Sequence, residues 1–157
     1  MKLKILILFF FIFKLNSATW IEESVGSILN YEKVLLPDGT IYSISKGSGA
    51  GKDNVGNYSI AKCIGHRLEK NNKLLELKFF CDVELSNGDK YFTMQNRNNS
   101  DTDVGVGEGM ILGGTGVFSK LVGTKCIYGV KHLKSNVFTT TKCEIPKNIF
   151  NKLKSNN

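Results

Sequence analysis

LELKFFCDVELSNGDKYFTM, Leu75 to Met94, is the stretch that decides the fold. Its odd positions run Leu75, Leu77, Phe79, Cys81, Val83 and Leu85, with Glu76, Lys78, Asp82 and Glu84 between them. A period of two places one face of a strand in a core and the other in water. Ser86-Asn87-Gly88-Asp89 follows, and Asn-Gly signals a two-residue hairpin because a type I′ turn needs positive φ at both positions. Such a turn opposes Val83 to Phe92, Cys81 to Met94 and Phe79 to Asn96, and carries the apolar face onto Phe92 and Met94.

The same parity pairs the cysteines. Cys63 and Cys81 are symmetric about Asn72, so a hairpin turning at Asn71-Asn72-Lys73 sets them opposite one another. Cys126 and Cys143 are symmetric about the Lys134-Ser135 junction. Directly opposed cysteines in a close antiparallel pair can bridge, which predicts disulfides Cys63–Cys81 and Cys126–Cys143. The second hairpin carries Tyr128, Val130, Val137 and Ile145 on its cysteine face, again the apolar side. Reduced thiols or a metal site are the alternative, but no CxxC spacing is present, and neither a metal nor a cofactor is expected.

Elsewhere, Pro37-Asp38-Gly39 and Lys134-Ser135-Asn136 punctuate runs rich in Ile, Val, Phe, Tyr and Thr, so the whole chain reads as all-β. The segment from Lys147 is polar and Asn/Lys-rich, expected to make a short helical turn and then a disordered tail. Lys2 and Lys4, the apolar run Ile5 to Phe13, and Asn16-Ser17-Ala18 have the layout of a secretory signal peptide, cleaved after Ser17 or Ala18. The apolar run is about half of what a membrane-spanning helix needs, so no stable membrane insertion is expected after cleavage. The domain reading is therefore 1–18 leader, 19–146 barrel domain and 147–157 tail, in a protein exported to the periplasm or secreted. Four cysteines in the exported part suit that oxidising destination.

The chain of 157 residues carries a formal charge of +7. Loss of the leader removes Lys2, Lys4 and Lys14 and no acid, so three charges go and +4 remains. Arg67 and Arg97 are the only arginines, whereas phosphate and base recognition favour arginine's planar fork, so nucleic acid is not an expected partner.

The glycines of VGEGMILGGTGVFSKLVG, Val106 to Gly123, invite a phosphate-loop reading. A Walker loop needs Gly-Lys-Ser/Thr, which GGTGVFSK lacks, and a dinucleotide fingerprint needs a βαβ setting, which is absent. In KGSGAGKD, Lys46 takes the place of the first glycine and Asp53 that of Ser/Thr. Gly105, Gly107 and Gly109 instead alternate along one face of a strand, where missing side chains let another group pack closely. The glycines serve shape.

Taken together, Cys63-Ile-Gly65, Phe80-Cys81 ahead of Asn87-Gly88-Asp89-Lys90, Gly113-Gly114-Thr115-Gly116-Val117-Phe118 and Gly123 resemble the allene oxide cyclase barrel-like superfamily. The likeness is greatest to its small exported bacterial members and covers roughly Ile41 to Glu144. It departs from them at Phe80 for tyrosine, Asn87 for aspartate, Val117 for lysine, and Ser119-Lys120 for a small residue and glycine. The resemblance implies a single antiparallel eight-stranded barrel, lipocalin-like in shape, with a central cavity. It transfers no catalytic residue to this chain.

On the expected faces, Arg67, Phe79, Phe92, Met94, Asn96, Glu108 and Tyr128 are candidates to line that cavity. Glu108 alternates with Val106, Met110 and Leu112 and points inward if that face is the core. A buried arginine wants a carboxylate partner or a ligand anion. The expected partner is a small apolar or amphipathic molecule. His66 and His132 fall on different hairpins with no nucleophile placed beside either, which argues against a hydrolase. Asn99-Ser100-Asp101-Thr102-Asp103 matches a calcium loop at three positions but has Met110 where the closing Glu belongs. Asn57-Tyr58-Ser59 and Asn98-Asn99-Ser100 are glycosylation sequons.

Overall fold

The structure is a computed structural model that describes residues 16–155. Residues 1–15, and with them most of the expected leader, lie outside the described residues. Eight strands follow: β1 (Ser17–Leu35), β2 (Ile41–Asp53), β3 (Tyr58–Lys70), β4 (Lys73–Leu85), β5 (Lys90–Asp101), β6 (Val104–Gly114), β7 (Lys125–Leu133) and β8 (Asn136–Pro146). Each pairs antiparallel with the next, and β1 closes on β8, giving the expected all-β eight-stranded barrel. A 3-10 helix (Gly116–Lys120) separates β6 from β7, and α1 (Lys147–Ser155) ends the described chain.

Both disulfides form as the parity predicts. Cys63 opposes Cys81 and Cys126 opposes Cys143, with Cα separations of 4.1 Å and 4.3 Å. These are the short distances of a non-hydrogen-bonded pair, where side chains stand closest.

The Ser86-Asn87-Gly88 turn differs from expectation by one residue, and the difference matters. Gly88 N–H donates to Leu85 O, and Leu85 N–H to Asp89 O, both at 2.9 Å. Gly88 has φ +86, whereas Asn87 is not among the positive-φ residues. This is the three-residue loop with a bulging glycine, not the two-residue type I′ turn. Val83 therefore opposes Tyr91, Cys81 opposes Thr93, Phe79 opposes Gln95 and Leu77 opposes Arg97. A slip of one reverses every side chain on β5. The type I′ geometry occurs instead at Asn71 and Asn72, with φ +51 and +59. A bulge then displaces Leu75, so Leu74 is 1% exposed and Leu75 is 38% exposed, reversing the sequence expectation at that end.

One end of the barrel is closed. Trp20 of β1 meets Tyr91 edge-on at 5.6 Å between ring centroids, and Tyr91 stacks on Phe118 of the 3-10 helix at 4.6 Å. Aromatic pairs of this kind add about 0.5–1.5 kcal/mol beyond their buried area. The Gly113–Gly123 stretch thus turns the chain and delivers Phe118 into the plug. Thr115 ties it to the neighbouring hairpin, since Lys90 N–H donates to Thr115 Oγ1 at 2.8 Å and that hydroxyl donates to Asp89 at 3.2 Å.

The segment from Lys147 is not a polar tail. It is an amphipathic helix whose Ile149 and Leu153 are buried against the plug, while its lysines face outward. The i, i+4 spacing of two apolar residues suffices for one buried stripe. The start of β1 also lies within the expected leader. Ser17 and Ala18 pair with Pro146 and Ile145, and Lys147 N–H donates to Asn16 O at 2.8 Å.

Candidate functional site

A cavity of about 180 Å³ runs through the barrel interior. Small residues leave the space: Gly47 and Gly49 on β2, Ala61 on β3 and Gly109 on β6 all line it. Both disulfides, Val83 and Ile111 make the wall apolar. The alternating glycines of β6 face inward, and each of two makes room for one side chain. A Cβ at Gly105 would lie 2.6 Å from Arg97 Nη1, and one at Gly107 would lie 2.6 Å from the Tyr128 ring. The same alternation places Val106 and Leu112 outside.

The cavity has a different polar group toward each end. Near the plug, Glu22 accepts hydrogen bonds from Ser59 Oγ and Tyr91 Oη, each at 2.7 Å. Burial raises the Glu22 pKa above its ordinary 4.5, against the opposing pull of those two donors. Burial and the neighbouring Glu22 push the Tyr91 phenol well up too. Beside them Asp53 is fully engaged. It accepts from Trp20 Nε1 at 3.1 Å, Asn57 Nδ2 at 2.9 Å and the backbone N–H groups of Val55 and Asn57.

The other end is cationic. Arg97, 2% exposed, donates Nη2–H to Thr102 O at 3.2 Å, while its Nε and Nη1 have no protein acceptor among the described residues. Arg67 holds an ion pair with Glu69 at 2.7 Å without hydrogen-bond geometry, lies 5.7 Å from the Tyr31 ring centroid, and leaves its own Nε unpartnered. The buried Tyr128 hydroxyl also lacks a partner, and burial pushes its pKa up to about 12. Burial, with Arg97 and Arg67 nearby, lowers the pKa of His132, which also lines the cavity. Desolvation lowers that of Arg97, though a guanidinium stays charged.

Of the seven side chains expected in the cavity, Arg67, Phe79 and Tyr128 line it. Phe92, Met94, Asn96 and Glu108 do not, because the one-residue change at Gly88 turns the first three to the outer face. Phe92 is 43% exposed, Met94 opposes exposed Phe80, and Glu108 opposes Asn96, so it follows them outward. The inward residues of β5 are Tyr91, Thr93, Gln95 and Arg97. Glu22 and Ser59 went unread in the sequence. The signal was available in the alternation Trp20, Glu22, Ser24, Gly26, since tryptophan marks the inner face. Asn57 is 1% exposed and its amide is held by Asp53, so the folded protein does not present that sequon for glycosylation. Among the described residues, no group of three or more His, Cys, Asp or Glu is placed to hold a metal ion.

Comparison with protein-family models, with curated proteins and with solved structures returned no match.

Proposed function

We propose that this is an exported, non-enzymatic binding protein whose barrel holds a small amphipathic molecule. The carrying observation is a single cavity with apolar walls that has Glu22 toward one end and Arg97 toward the other. Ligand sites combine mostly apolar lining with a few placed polar groups in this way. A barrel filled by side chains, serving structure alone or docking a partner, would leave no such space. The leader-like first 18 residues and the two disulfides support an exported location, periplasmic or secreted. Kinship with allene oxide cyclase-like barrels belongs to the same reading, supported by the motif residues and the closed eight-stranded topology. No described helix is long and apolar enough to cross a membrane.

A second reading, an isomerase or cyclase acting on a lipid-derived substrate, is favoured by one observation. Glu22 is a buried carboxyl with a raised pKa inside the cavity, the property that proton-transfer catalysis needs. Glu108, the carboxylate that the sequence offered as a cavity-lining candidate, faces outward.

Gentle purification followed by native mass spectrometry tests the first reading: a bound organic mass that denaturation releases is expected. The identified molecule, incubated with wild type and Glu22→Gln, then separates the two readings. Retention of the unchanged molecule by both proteins supports binding. Conversion by wild type, lost in Glu22→Gln with binding kept, supports catalysis. A cavity that retains no molecule and gives no thermal shift with any small amphipathic compound would overturn both.

A further inference from the structure

The chain contains two arginines, and both face the cavity, whereas no lysine lines it among the described residues. Among the described residues, three guanidinium N–H-bearing atoms there, Arg67 Nε and Arg97 Nε and Nη1, lack a protein acceptor, as does the Tyr128 hydroxyl. A buried donor without an acceptor costs about 1–3 kcal/mol, and more when it is charged. The fold nevertheless builds this arrangement deliberately. Gly105 and Gly107, two apart on one face of β6, give up their side chains to seat Arg97 and Tyr128 next to each other. The β5–β6 turn folds over the guanidinium through Thr102 O.

The charges in this end do not balance. Arg67 and Arg97 are met inside by Glu69 alone, and Asp103 acts from an exposed position on the β5–β6 turn. The surplus at this end is therefore at most one positive charge, and Asp103 offsets part of it from the turn. We infer that the Arg97–Arg67–Tyr128 end of the cavity is a carboxylate site, and that the ligand is a compact organic monoanion with an apolar or aromatic body. Carboxylate geometry suits the planar guanidinium fork, and the phenol supplies one further donor. A surplus of no more than one charge fits a monoanion rather than a phosphate dianion. A cavity of about 180 Å³ is smaller than the roughly 300–1,000 Å³ of drug-sized sites, so the body must be compact.

This inference rests on the barrel being a ligand cavity, and the test separates the two. Benzoate and benzyl alcohol share a body and differ in charge. Both are titrated calorimetrically at pH 7 into wild type, Arg97→Met and Tyr128→Phe, each verified by mass to hold both disulfides and by circular dichroism to be folded. Wild type is expected to prefer benzoate by about 10- to 100-fold, the worth of one to two charge-assisted hydrogen bonds. Arg97→Met should abolish the preference and Tyr128→Phe should reduce it about threefold or more. If Arg97→Met does not fold, the near-isosteric Tyr128→Phe carries the test. Equal binding of both probes, or an undiminished preference in the folded variants, overturns the carboxylate site and leaves the cavity reading standing. Displacement of benzoate by equimolar inorganic phosphate overturns the organic monoanion in favour of a small inorganic ion. Binding of neither probe overturns the carboxylate site, while the cavity reading stands or falls with the retained mass and the thermal shifts described above.

Discussion

Tyr91 donates its hydroxyl to Glu22 at 2.7 Å across the inside of the barrel, joining β5 to β1, two strands that do not pair. Only closure of the sheet brings these residues together. Ser59 of β3 completes the group from a third direction.

The pH dependence of stability should carry the mark of Glu22. Burial raises its folded pKa above 4.5, so the folded chain binds this proton more tightly than the unfolded chain. The stability contributed is fully present below the unfolded value and declines as pH rises through the folded one. Glu22→Gln, which stays neutral, should therefore be more stable than wild type near pH 8. The difference should vanish below about pH 4, where both forms are neutral. Urea midpoints measured from pH 3.5 to 8 check this, and a wild type that gains stability relative to the variant as pH rises would contradict it.

Gly107 and Gly109 share a face but not a role. A Cβ at Gly107 would sit 2.5 Å from Asn96 O and 2.6 Å from the Tyr128 ring, whereas at Gly109 the nearest atom is Cys126 Cβ at 3.6 Å. Gly107→Ala should cost about 1–3 kcal/mol by overpacking. Gly109→Ala should fold with little loss and fill part of the cavity. Thermal denaturation of the two variants side by side distinguishes them.

Each disulfide closes a short hairpin, with sequence separations of 18 and 17. Restricting the unfolded chain over loops of this length is worth about 3 kcal/mol per bridge. Cys63→Ala/Cys81→Ala should lower the unfolding free energy by that amount. The intact mass of wild type should lie four hydrogens below the fully reduced protein.

Helix α1 should prove structural. Leu153 is 1% exposed and packs into the plug with Trp20, Tyr91 and Phe118. Leu153→Ala should destabilise by about 2–5 kcal/mol, the range for cavities in packed cores. Lys152→Ala on the exposed face should change the denaturation midpoint little.

Strand type, cysteine pairing and the shared face of the β6 glycines were all legible in the chain, because each depends on parity inside one hairpin. Cys63 and Cys81 oppose one another because the Leu75 bulge supplies the one residue by which the two-residue Asn71-Asn72 turn falls short of their symmetry. Two matters lay beyond that local arithmetic. The single αL residue Gly88 shifted β5 by one position, exchanging Phe92, Met94 and Asn96 for Tyr91, Thr93, Gln95 and Arg97 inside the barrel. Which face of β6 points inward followed from pairing with β5, and so removed Glu108 from the cavity. The helical stripe of Ile149 and Leu153 gained its meaning only from the plug it covers.

The candidate site is therefore a product of closure. Local pattern can state that Trp20, Glu22, Ser24 and Gly26 share a face, or that Gly105 and Gly107 do. That Glu22 meets Tyr91, and that Arg97 lies over Gly105 beside Tyr128, requires strands distant in the chain to curve around one interior. A period of two specifies a face, while the side chains that meet across a barrel are set by its curvature and stagger, which no single strand contains.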